Sequence, residues 1–100
     1  MGVEVVVEPL AEEDLRIAYD YYETIVSGLG SRFLSEVERT LAQISERPDM
    51  YQEIIPDVRR ALLRVFPYGV FYIQNSAQAH VIAVVSDVRD PMYWRARIGT

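Results

Sequence analysis

The chain has 100 residues, half apolar and a quarter charged, which sets it apart from disordered sequences and allows one core without covalent staples. It has no cysteine, which excludes disulfides and thiolate metal sites, and its net charge of −5 argues against a protein that coats nucleic acid non-specifically. No stretch approaches the roughly 18 apolar residues of a membrane span, and no basic segment followed by an apolar run opens the chain, so a single cytoplasmic domain over residues 1–100 is expected.

In chain order, the run VEVVVE at residues 3–8 is β-branched and too short for a stable helix, and reads as a first strand ended by Pro9. Pro9 then opens a helix. Glu12, Glu13 and Asp14 occupy its first turn, where negative charge opposes the positive end of the helix dipole, and Leu15, Ala18, Tyr22 and Ile25 recur at helical spacing. Gly28 and Gly30 mark the reversal into a second helix, from about residue 31 to 46. Phe33, Val37, Leu41 and Ile44 form its apolar stripe, with Arg32, Glu36 and Arg39 spaced for pairing on the other side. Pro48 stops this helix. Residues 48–56, with Met50, Tyr51, Ile54 and Ile55, read as an apolar connector folded over a core edge.

The segment VRRALLRVFPYGVFY at residues 58–72 reads as two strands about the turn Phe66-Pro67-Tyr68-Gly69. Alternation puts Arg60, Leu62 and Arg64 on one face, and Arg59, Ala61, Leu63 and Val65 on the core side. Residues 75–79 form a polar turn, and VIAVV at 81–85 is a strand covered on both faces, the expected central one. The tail SDVRDPMYWRAR at 86–97 has Pro91 at a first helical position and closes the chain beside the sheet. The expected fold is α+β, ordered β-α-α-β-β-β, with a helical hairpin packed on one face of a small antiparallel sheet.

Most catalytic chemistries find no support. His80 is the single histidine, expected in a turn exposed to solvent, and no donor set for a metal accompanies it. Ser86 adjoins Asp87 but lies at the opposite end of a strand from His80, which argues against a serine nucleophile. No glycine-rich phosphate loop and no cofactor motif is present. The arginines stand out. Residues 1–55 carry twelve acids and four arginines, whereas residues 56–100 carry three acids and six arginines, so the second half is net positive. Those six, Arg59, Arg60, Arg64, Arg89, Arg95 and Arg97, occur with Tyr68, Tyr72, Tyr93 and Trp94, a set suited to holding carboxylates or phosphates. Arg59, on the core side, is the one expected to be structural.

These fragments, in this order, resemble the RelE/ParE superfamily of bacterial type II toxins. The resemblance runs through Ala11, Asp14 and Leu15 with Tyr21 and Tyr22, the run GLGSRFLSEVERTLAQI from Gly28, Pro48 with Tyr51, the VRRALLRVFPYGVFY segment, and RDPMYWRAR from Arg89. It implies a toxin neutralised by a cognate antitoxin, whose carboxy-terminal segment wraps the toxin in a hetero-oligomer.

The RelE branch cuts messenger RNA on the ribosome and has an arginine just after the hairpin tyrosine, where this chain has Gly69 after Tyr68. A lysine of that branch falls at Leu62, and many relatives have a histidine at Ser86, while Arg60 and Arg89 keep basic positions. The ParE branch poisons DNA gyrase and needs binding residues without a proton-transfer pair. The resemblance therefore implies a ParE-like toxin with no catalytic residue. Arg60, Arg64, Arg89, Tyr93, Trp94 and Arg97 are its contact residues for target or antitoxin. A ribosome-dependent endoribonuclease and a degenerate, non-toxic homologue that only binds antitoxin stay open beside it.

Overall fold

The computed structural model describes residues 2–98. The chain runs β1 (Glu4–Val7), α1 (Pro9–Ile25), α2 (Leu29–Glu46), β2 (Gln52–Ile55), β3 (Val58–Leu62), β4 (Tyr68–Gln74), β5 (Gln78–Ser86) and a final turn of helix, α3 (Met92–Arg95). Two helices pack against a five-stranded sheet of order β1-β5-β4-β3-β2, an α+β architecture. The sheet is mixed where an antiparallel one was expected, because β1 runs parallel to β5 while the other neighbours are antiparallel. The apolar connector also holds an extra strand, β2. Four residues between prolines look like a loop, and only pairing with β3 makes them a strand; Asp57, at φ 72°, closes the tight turn between them.

The helical hairpin depends on one close approach. Gly28 leaves α1 in the left-handed region, at φ 91°, and the Glu23 carboxylate accepts the backbone N–H groups of Gly28 (3.1 Å) and Gly30 (2.8 Å), capping α2 from outside. A Cβ on Gly30 would lie 2.7 Å from both the ring and the carbonyl oxygen of Tyr19. Gly30→Ala is therefore expected to spread the hairpin and destabilise the protein by roughly 1–3 kcal/mol, measured as a lower urea midpoint.

Packing rotates the expected helix stripes. Ala11, Asp14, Ala18 and Tyr22 are the buried residues of α1, while Ile25 is half exposed. On α2, Glu36 is buried and does not pair with Arg32 or Arg39. Its carboxylate accepts the backbone N–H of Arg64, and that of Val65 at 3.1 Å. This contact ends β3 at Leu62, so Arg64 leaves the strand face shared by Arg60 and Leu62 and sits in the turn beside α2. Tyr22, Phe33, Phe66 and Tyr68 make an aromatic cluster that locks the same turn onto the hairpin.

β5 is buried on both sides, as its unbroken apolar run requires, and a bulge makes this work. Phe71 faces Ala83 but Tyr72 faces Val81, so Ile82 is the extra residue. Val81 and Val84 consequently face the helices, with Val70 and Tyr72. Ile82, Ala83 and Val85 join Val58 and Phe71 in a second apolar layer under Trp94.

Tyr72 is fully buried and donates its hydroxyl to the Pro48 carbonyl; burial pushes its pKa up to about 12. Burial also raises Tyr22, Tyr51 and Tyr68. A phenol whose pKa is higher in the folded chain contributes its full stability below the unfolded value near 10. That contribution falls as pH rises and is lost once pH passes about 12, the folded value. Urea unfolding at pH 8 and pH 11.5 is expected to show an alkaline loss of about 2 kcal/mol from Tyr72. Tyr72→Phe removes that share of the slope.

Candidate functional site

The face of the sheet away from the hairpin is shaped by how the tail is anchored. β1 pairs with β5 only from Gln78 to Val81, so the outer edge of β5 is open beyond that point. Asp14 of α1, buried in spite of its position in the first turns of the helix, closes it. Its carboxylate accepts the Val84 backbone N–H (3.0 Å), the Tyr93 hydroxyl (3.1 Å) and both terminal nitrogens of Arg97 (2.7 and 3.1 Å). Arg97 also donates to the Ile82 carbonyl (2.9 Å), and its hydrogen bonds to Asp14 raise its pKa further above the usual arginine value. These contacts fix α3, and Trp94 stacks on Phe71 at 4.9 Å.

Beyond this anchor, Arg60 of β3, Arg89 and Arg95 converge on a cleft of about 240 Å³, walled by Ile54, Ile55 and Pro91, floored by Phe71 and Trp94, and touched by Asp87. The stem of Arg60 lies across Gly69: a Cβ there would be 3.1 Å from its Cγ and 3.3 Å from its Cδ. This leaves Arg60 Nε buried with no hydrogen-bond partner among the described residues. The Arg89 guanidinium lies 3.8 Å from the centre of the Tyr93 ring, with Arg97 at 4.5 Å.

The six residues expected to make contacts are thus divided. Arg60, Arg89 and Trp94 line one cleft, Trp94 as its buried floor. Tyr93 and Arg89 border a second hollow with Ser86 and Tyr68. Arg97 is committed to Asp14, and Arg64 belongs to the α2 side. Arg95, expected in the arginine set but not among the contact residues, also lines the cleft, as do Ile54 and Ile55, which come from a strand that only tertiary pairing reveals. Arg59 donates to the carbonyls of Tyr51 (2.6 Å) and Asp49 (3.4 Å), in keeping with its expected structural place.

His80 lies on β5, where a solvent-exposed turn was expected, since the strand begins at Gln78. Its ring is 2.7 Å from Glu8 and 3.0 Å from Gln78, at the opposite end of β5 from Ser86. Ser86 Oγ accepts the Val88 N–H at 3.3 Å. Among the described residues, no three His, Asp or Glu side chains are grouped to hold a metal ion, and no helix is long and apolar enough to cross a membrane.

Residues 5–91 match the family described as the ParE toxin of type II toxin-antitoxin systems, parDE. The chain belongs to this family. It is accordingly a type II toxin of the ParE/RelE superfamily. A chain of the chromosomal ParDE toxin-antitoxin system from P. aeruginosa superposes with a TM-score of 0.75 at 12% identity, covering 84% of this chain and 95% of that one. A double arginine-to-alanine mutant of the E. coli toxin RelE in the free state gives a TM-score of 0.75 at 20% identity, covering 99% of this chain and 100% of that one. The same mutant in complex with a RelBc antitoxin peptide gives 0.67 at 20% identity, covering 96% and 95%. At these identities the likeness is one of fold. No curated protein sequence matches the chain.

Proposed function

We propose that this ParE-family toxin acts in the cytoplasm by binding and inhibiting DNA gyrase, and that a cognate antitoxin neutralises it in a hetero-oligomer. The observation that carries this reading is a cleft with three guanidinium groups and one carboxylate, that of Asp87. Arg60, Arg89 and Arg95 supply charge, but Gly69, Leu62 and Ser86 supply no acid or base, and His80 is held by Glu8 at the far end of β5. Such a surface is equipped to grip an anionic partner. An antitoxin partner draws support from the family and from the RelE structure with its antitoxin peptide.

A second reading, the ribosome-dependent ribonuclease, is favoured by one observation: Arg60 and Arg89 share the cleft, as two phosphate-binding cations of a nuclease would. Purified toxin added to gyrase distinguishes the two. Inhibited supercoiling with intact ribosome-bound message supports the gyrase reading; message cleavage with full supercoiling overturns it. A chain that causes no growth arrest without antitoxin would be a degenerate homologue.

A further inference from the structure

We propose that the Arg60–Arg89–Arg95 cleft is a receptor for a single carboxylate side chain, an aspartate or glutamate flanked by apolar residues on a protein partner, held by the guanidinium groups of these three arginines. The inference rests on the reading that this toxin works by gripping a protein, and it names the chemistry that the grip requires.

Arg60, Arg89 and Arg95 form no ion pair among the described residues, whereas the guanidinium groups of Arg16, Arg59 and Arg97 are engaged by carboxylates or carbonyls. A carboxylate arriving between uncommitted guanidinium groups gains charge-assisted hydrogen bonds. Three guanidinium groups face one carboxylate, Asp87, and none of the three forms an ion pair among the described residues. The cleft therefore has a net positive charge with room for one or two negative charges.

Size and lining select a carboxylate over a nucleotide. About 240 Å³ is less than the roughly 300–1,000 Å³ of sites that enclose small organic ligands, and suits one side chain. The aromatic floor is closed to stacking: Phe71 is 3% exposed, Trp94 is 5%, and each covers the other. A base entering the cleft finds no free aromatic face, although stacking supplies much of single-strand binding. The walls, Ile54, Ile55 and Pro91, are apolar, and Met92 and Leu62 are exposed nearby on the tail and on β3. Methylene groups and apolar neighbours of a glutamate have surface to cover there; a phosphodiester has none.

The experiment uses full-length toxin labelled with ¹⁵N and follows the arginine Nε–Hε resonances. The probe is the peptide acetyl-Ile-Glu-Ile-amide, with its glutamine counterpart, a hexaribonucleotide and inorganic phosphate as comparisons. The glutamate peptide is expected to shift the Arg60 resonance saturably and at least tenfold more tightly than the glutamine peptide. Arg60→Lys is expected to weaken that binding at least tenfold with an unchanged urea midpoint, since lysine lacks the planar guanidinium fork that pairs with a carboxylate. An Arg60 resonance unmoved by the glutamate peptide, or saturated first by the hexaribonucleotide, overturns the proposal. Arg60→Lys also enters the gyrase assay. If wild type and variant inhibit gyrase equally, the carboxylate receptor fails and the gyrase reading survives. If the peptide binds as described and gyrase is untouched, the receptor stands and the target is another protein.

Discussion

Replacing Asp14 by alanine is expected to release the tail and remove a large part of the stability of the fold. Asp14 and Arg97 side chains are 2% and 11% exposed, so the pair lies in a poorly screened environment. Removing one partner of a buried pair costs about 3–5 kcal/mol, because the other is left without compensation. Here the Val84 N–H and the Tyr93 hydroxyl lose their acceptor as well. For a chain with a total stability on the order of 5–15 kcal/mol, this is a drop in melting temperature of more than about 10 °C. Trp94 is the sole tryptophan and is buried against Phe71, so its fluorescence reports the tail directly. A red-shifted emission with a lowered urea midpoint is the expected result. An unchanged spectrum would mean that Phe71 and Trp94 hold the tail without the ion pair.

The second large effect is on toxicity. Arg60→Ala is expected to reduce toxin potency by about thirtyfold to several hundredfold, a half-buried arginine at the centre of a contact surface being worth roughly 2–4 kcal/mol to binding. Folding should change little, because Arg60 makes no ion pair among the described residues and its truncation also removes a buried donor that has no partner. Arg89→Ala is expected to act in the same direction. Arg64→Ala is the contrast. Its contact with Glu36 runs through the backbone N–H, so truncating the side chain leaves that contact intact and should cost potency little. Growth arrest titrated against inducer, with protein levels matched, measures all three. Equal loss for Arg60→Ala and Arg64→Ala would show that the contact surface extends around to α2.

Much of this architecture was legible from periodicity and punctuation. The helical hairpin, the buried run at 81–85 and the strands of 58–72 follow from apolar spacing, Pro9, Gly28 and Pro48. What escaped depends on partners distant in sequence. β2 exists because β3 is beside it, and the parallel pairing of β1 joins residues more than seventy positions apart. Glu36 and Asp14 resemble solvent-facing helix acids until their backbone partners, Arg64 and Val84, come into view. At the site, composition marked the arginines of the second half as a group. Only the fold separates Arg97, which holds the tail, and Arg64, which sits beside α2, from the convergent Arg60, Arg89 and Arg95. Gly69 was readable as a missing cation; that it gives Arg60 room to lie flat and bury its Nε requires coordinates.

On the proposed reading, this toxin grips a protein target through the Arg60 cleft without cutting RNA. Supercoiling by purified gyrase, assayed with increasing wild-type toxin and with Arg60→Ala, separates the alternatives. Dose-dependent loss of supercoiling by wild type, with at least tenfold more variant needed for the same effect, is the predicted result. Full supercoiling at saturating wild-type toxin, together with cleavage of ribosome-bound message by the same preparation, would contradict it.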